Sequence, residues 1–378
     1  MAVLGLVCAA AVGVCVVFPH GLPLRAVASA FIVAAAISFI QLRHAGLAAA
    51  AAVAPIPGLL IAHALGAAGP LTIALCYLPG LGCAMFLAGD ITAQIISGVE
   101  RHEACRDTFV KSGASAAAAI VVAATGLAIL SISGGVAALA ATIGAGLSAI
   151  VIVPLAATLF PFGEDFVTRA NRLREWRERM LDPMTAIAEP RWAMSAAGIA
   201  VIFAVLGYFG ARPVLDAKEY AVFAALLFAA GIVGFGLTWE WRRALALPVI
   251  LVVLILVGLW GFARVHAANA LLPFVQTLGI CTVPFLLMAA EAARHLSEDT
   301  GAASSFALLR KGPAAILFFT AAIIISIVQF SHAAITAVVV ILLIFGCAAA
   351  LLWLPAIAGA LESLFPRKST LDARYRVR

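Results

Sequence analysis

Apolar runs of about 20 residues, broken by Gly, Pro or charge, recur along the whole chain, and each could cross a hydrocarbon core roughly 30 Å thick. Read with that punctuation, the first half holds spans at about 2–18, 26–42, 46–66, 70–98, 106–131 and 134–161. The second half holds spans at about 192–210, 220–240, 244–263, 269–293, 311–330 and 333–361. The pattern is six plus six. Between the halves lies EDFVTRANRLREWRERMLDPMTAIAEPR, which is charged and places Phe166, Leu173, Trp176 and Met180 on one rough face at three- and four-residue steps. It reads as an amphipathic helix lying at a membrane interface.

Composition agrees: of 378 residues, 65% are hydrophobic and 11% charged, with a mean hydropathy of +1.13, where soluble domains are roughly half apolar and a quarter charged. The fold class expected is an all-α integral membrane protein with twelve transmembrane helices. The first run, from Ala2 to Phe18, lacks a basic leader and a small-residue cleavage site, and is expected to be a retained helix rather than a signal peptide. The seven cysteines lie mostly inside apolar runs without paired spacing and read as small hydrophobes.

Charge gives the orientation. If the N-terminus is cytoplasmic, all but four of the 24 Lys and Arg residues (Arg25, Arg212, Lys218 and Arg264) fall on the cytoplasmic side. The positive-inside bias then places both termini in the cytoplasm. The expected organisation is a first six-helix repeat (1–163), a cytoplasmic amphipathic linker (164–190), a second repeat (191–366) and a basic tail (367–378). The basic linker and tail read as surfaces facing lipid headgroups, with no nucleic-acid partner.

The halves share internal marks. In each, a Leu-Gly pair (Leu81-Gly82; Leu278-Gly279) precedes a charged loop, then a Lys-and-Gly start to the next helix (Gly113; Gly312), then a span with a proline near its end (Pro154; Pro355). Gly82 to Gly113 is 31 residues and Gly279 to Gly312 is 33; Gly113 to Pro154 is 41 and Gly312 to Pro355 is 43. An even helix count and an inside linker make these parallel pseudo-repeats, whose substrate and coupling sites lie near the interface between halves.

The stretch LPGLGCAMFLAGDITAQIISGVERHEACRDTFVKSGASAAAAIVVAATGLAILSISGGVAALAATIGAGLSAIVIVPLAATLFP resembles the last three helices of one half of the resistance-nodulation-division (RND) superfamily, especially its MMPL-like lipid-exporting and hopanoid-transporting branch. LLPFVQTLGICTVPFLLMAAEAARHLSEDTGAASSFALLRKGPAAILFF resembles the same region of the second half. The resemblance implies a bacterial inner-membrane transporter core for a hydrophobic or lipid-like substrate. The chain departs from that family in two respects. Where the family carries large extracytoplasmic domains, only VVFPHGLPLRAV and FGARPVLDAKEY occur, so a partner subunit would have to supply any periplasmic function. The family's acidic proton relay, just after Leu-Gly, falls here at Cys83 or Ala84, and in the second half between Ile280 and Thr282.

Asp90 lies seven residues after Cys83, two helical turns along and nearly on the same face. It is either a displaced relay facing the bundle interior, or a polar residue satisfied by Thr92, Gln94 or a neighbouring helix. The candidate proton-coupling or substrate-path residues are Asp90, Cys83, Gln94, Glu291 and Thr282. Pro55 and Pro57 are expected to break the third span, and the Gly- and Ala-rich fifth and sixth spans to pack closely. His102, Glu103 and Cys105 fit no strong metal-ligand template. No nucleophile elbow, zinc signature or phosphate loop occurs, so no enzymatic activity, cofactor or metal is expected. Two further readings stand beside the transporter: a non-transporting scaffold or accessory subunit of degenerate transporter fold, and a major-facilitator-type carrier. The last should show a Gly-Asp-Arg-rich loop after the second span, where QLRHAG offers only Arg43.

Overall fold

The computed structural model describes residues 24–65, 70–110, 136–163 and 165–181, with isolated helical positions between 112 and 120 and between 195 and 205. Among them there are helices and turns and no strand. The helices are α1 (Leu24–Leu42), α2 (Ala45–Val53), α3 (Ile56–Ala64), α4 (Pro70–Ile96), α5 (101–110, with 112, 113, 116, 117 and 120 also helical), α6 (Val136–Leu159) and α7 (Phe166–Leu181). The first expected span, the second repeat, the tail, and with them Glu291 and Thr282, lie outside the described residues.

Two stretches, Ala45–Ala64 and Leu139–Leu159, are long and apolar enough to cross a membrane. The first is α2 and α3 together, with a two-residue turn at Ala54 and Pro55 between them. Pro55 and Pro57 have no N–H to give, so the carbonyls of Ala51 and Val53 lose their donors. The backbone nonetheless stays helical at Ala54 (φ −50°, ψ −36°) and Pro55 (φ −71°, ψ −19°). Ala54 N–H donates to Ala50 O at 2.9 Å and Leu59 N–H to Pro55 O at 3.2 Å, so the interruption does not unravel the chain.

The helix α6 is the centre of the described bundle, packed against α4, α3 and α2, while α1 lies on α2 and α4. Close approach needs small residues at the crossings. A Cβ on Gly58 of α3 would run into the carbonyl oxygen of Ala141 and lie 2.8 Å from Ala145 Cβ, and one on Gly80 of α4 would lie 3.1 Å from Pro55 Cα. On α6 itself, Ala141, Ala145, Ala149, Val153 and Ala157 are fully buried at four-residue steps. The opposite face carries Leu147, Val151, Leu155 and Leu159 at the same step, each more than half exposed. Small side chains inward and large aliphatic ones outward is the arrangement of helices that pack on one another in lipid. In water, each outward side chain would forgo about 1.5–3 kcal/mol of burial.

Gly98 ends α4. At φ +91° it takes the left-handed conformation that glycine adopts without a Cβ penalty. Its N–H donates to Ile95 O at 3.1 Å and that of Val99 to Gln94 O at 3.0 Å. These are the paired bonds of a Schellman cap. The chain reverses, Glu100 O accepts from Ala104 N–H at 2.8 Å, and α5 begins. Helical geometry therefore starts at 101, and Gly113, read from the sequence as marking the helix start, lies well inside it.

Candidate functional site

The reversal at Gly98 lays α5 antiparallel to α4 and brings two polar pairs together. Ser112 Oγ donates a hydrogen bond to Asp90 Oδ2. One turn toward the reversal, Gln94 Nε2 donates to Thr108 Oγ1 at 3.1 Å. Asp90 and Gln94 are four apart on α4, and Thr108 and Ser112 four apart on α5, so each helix presents its pair on a single face. The result is a two-rung polar ladder. Ser112 and Thr108 are fully buried, while Asp90 and Gln94 are half-buried.

This answers how Asp90 is held. Its partner comes from the neighbouring helix rather than from its own. Thr92 turns its hydroxyl back to Gly89 O at 2.9 Å, a bond within α4, and Gln94 is engaged with Thr108. Cys83 lies on the same helix, fully buried as a free thiol among Leu81, Ala84 and Leu87, which are equally buried. It is two turns from the ladder. The ladder's α5 half, Ser112 and Thr108, was not singled out in the sequence. The signal that could have found it is the antiparallel register, because both pairs are centred on the same residue, Arg101, just past the reversal.

A second polar junction, also unforeseen, forms where α1 turns into α2. Arg43 takes φ +53°, which turns the chain so that His44 caps α2. The His44 Nδ1 accepts from Leu47 N–H at 3.1 Å, and its Nε2 lies 3.2 Å from Pro161 O, just beyond α6. Those partners specify a neutral ring with the proton on Nε2. The ring packs on Phe162 (centroids 4.3 Å apart) and edge-on to Phe166 (5.9 Å), the first residue of α7. Burial lowers the imidazole pKa, with the Pro161 carbonyl opposing in part. His44 thus fastens the first loop to the joint between α6 and the linker helix.

Of that linker the structure describes 165–181, with α7 over Phe166–Leu181. Phe166 and Ala170 are buried and α7 touches α4; the side chains of Leu173, Trp176 and Met180 lie outside the described residues. On α5, Arg101, His102, Glu103 and Arg106 lie to the surface side while Ala104 and Cys105 are buried. Burial raises the Cys105 thiol pKa, with Arg101 pulling the other way. Among the described residues no group of three or more His, Cys, Asp or Glu side chains forms a metal cluster.

No family model matches the chain, and no curated protein matches it either. The chemistry of the site therefore rests on its own residues.

Proposed function

We propose that this chain is the membrane-embedded core of a transporter that moves a hydrophobic or lipid-like molecule, with Asp90 as its coupling group. In this reading it is a multi-pass protein of a bacterial inner membrane, both termini cytoplasmic, built as two parallel six-helix repeats of RND and MMPL type. Lipid is its surroundings and its substrate class, and a partner subunit supplies any periplasmic function. The observation that carries the reading is Asp90 itself. It is a carboxyl group within a 27-residue, largely apolar helix, bonded across a helix pair by a buried hydroxyl. A carboxyl group at such depth is costly and, where it occurs, marks ion or substrate pathways.

A second reading is a scaffold or accessory subunit that has the fold without the transport. Cys83 favours it: the place where the resembled family keeps its relay carboxylate holds a fully buried, uncharged thiol.

Reconstitution separates the two. In proteoliposomes under an imposed pH or ion gradient, movement of a fluorescent-tailed phospholipid by the wild-type protein is expected to disappear in Asp90→Asn. If the variant transports normally, Asp90 is not the coupling group. If the wild-type protein moves nothing under any gradient and copurifies in fixed stoichiometry with a partner, the scaffold reading stands in its place.

A further inference from the structure

We infer that the two rungs between α4 and α5 form a binding site for a monovalent alkali cation, sodium in particular, so that the coupling ion is a metal ion rather than a proton alone. This rests on Asp90 being the coupling group.

The ladder supplies the donor chemistry of a hard cation: a carboxylate at Asp90, hydroxyls at Ser112 and Thr108, and the amide oxygen of Gln94, whose nitrogen is already turned to Thr108. Hard cations take such oxygens and not the His and Cys ligands whose clusters are absent among the described residues. The spacing suits one ion. Residues four apart on a helix are separated by ~6 Å along the axis, so an ion midway lies ~3 Å from the level of each rung. Oxygen bonds to a cation the size of calcium are roughly 2.3–2.6 Å long, and sodium has nearly that radius.

Charge selects the valence. Asp90 is the one acidic residue among the four ligands, and the other three are neutral. One positive charge balances the site; a divalent ion would leave an uncompensated charge in a medium of low dielectric, which is expensive. A proton would neutralise the carboxylate but leave the second rung with no part in the site. The second rung is what makes the ladder an ion site rather than a lone relay.

The test uses the full-length protein purified in detergent, at fixed ionic strength and pH, with sodium, potassium or choline chloride. Sodium is expected to raise the unfolding temperature by several degrees in a saturable way, because a ligand bound only by the folded state stabilises it. Choline is expected to do nothing, and potassium less than sodium. Radiolabelled sodium should bind at one site per chain. Asp90→Asn should abolish both effects, while Ser112→Ala and Thr108→Val should each weaken sodium affinity tenfold or more; these serve as the test if Asp90→Asn does not fold. Absence of a saturable sodium effect in the wild-type protein would falsify the site. Sodium binding unchanged in the foldable variants overturns it equally. If transport in sodium-free medium still follows a pH gradient and still fails in Asp90→Asn, the cation site is wrong while Asp90 remains the coupling group.

Discussion

Single residues decide most at the two polar junctions. His44 is useful to α2 only while neutral, because Nδ1 must accept from Leu47 N–H. An unfolded histidine titrates near about 6.5, and burial sets the folded value lower. As pH falls below about 6.5, the unfolded value, the unfolded chain takes up the proton first and stability is lost down to the folded value; above about 6.5 the contribution is fully present. Thermal unfolding in detergent between about pH 5 and 7.5 should show this fall in the wild-type protein, beyond whatever slope remains in His44→Asn. Asparagine keeps a cap without titrating. His44→Ala should cost about 0.5–2 kcal/mol at neutral pH from the lost cap alone. Equal pH slopes in the wild-type protein and His44→Asn would show that the imidazole has no such role.

At the scale of elements, helix crossings set which glycines matter. Gly58 sits where α3 presses on α6, and even a methyl group meets backbone. Gly58→Ala should destabilise by about 1–3 kcal/mol, as overpacking does. Gly113, although it marks the repeat in the sequence, has only ordinary contacts for a Cβ, Ile150 Cγ2 at 3.8 Å and Thr108 O at 3.9 Å. Gly113→Ala should be neutral or stabilise by about 0.5–1 kcal/mol, since it removes a helix-interior glycine. Denaturant titration of both variants checks the pair; a reversed order would mean that α3 and α6 do not meet as described. The Gly-rich character of the sixth span was legible in the sequence as a packing signal. Which glycine opposes which backbone was not, because that depends on the crossing point of helices far apart in the chain.

At the scale of the whole molecule, the outward row Leu147, Val151, Leu155 and Leu159 reports on the solvent. If the bilayer is that solvent, a tryptophan placed at Val151 in a Trp-less background should be quenched strongly by lipids brominated in their acyl chains. Phe39→Trp, on the exposed side of α1 near its end, should be quenched best by bromine close to the headgroup. Lack of quenching at Val151 would mean that this face is covered by protein. The expectation of many spans came from apolar length alone. Of those spans, the described residues supply two stretches long and apolar enough to cross, with α1 and α4 helical where runs were expected.

The sequence by itself determined the helical class, the approximate extents of the helices that match the second, third, fourth and sixth spans, the break at Pro55 and the singling out of Asp90. Each of these follows from local composition: apolar length, a missing N–H, a carboxyl in an apolar run. Only the tertiary structure decided that Asp90 is held by Ser112, that Gln94 is turned to Thr108, and that His44 ties the first loop to Pro161, 117 residues away. The physical reason is common to all three. A buried polar group must find a partner, but its identity depends on where a helix reversal or a distant helix end brings the chain, and hydropathy carries no record of that.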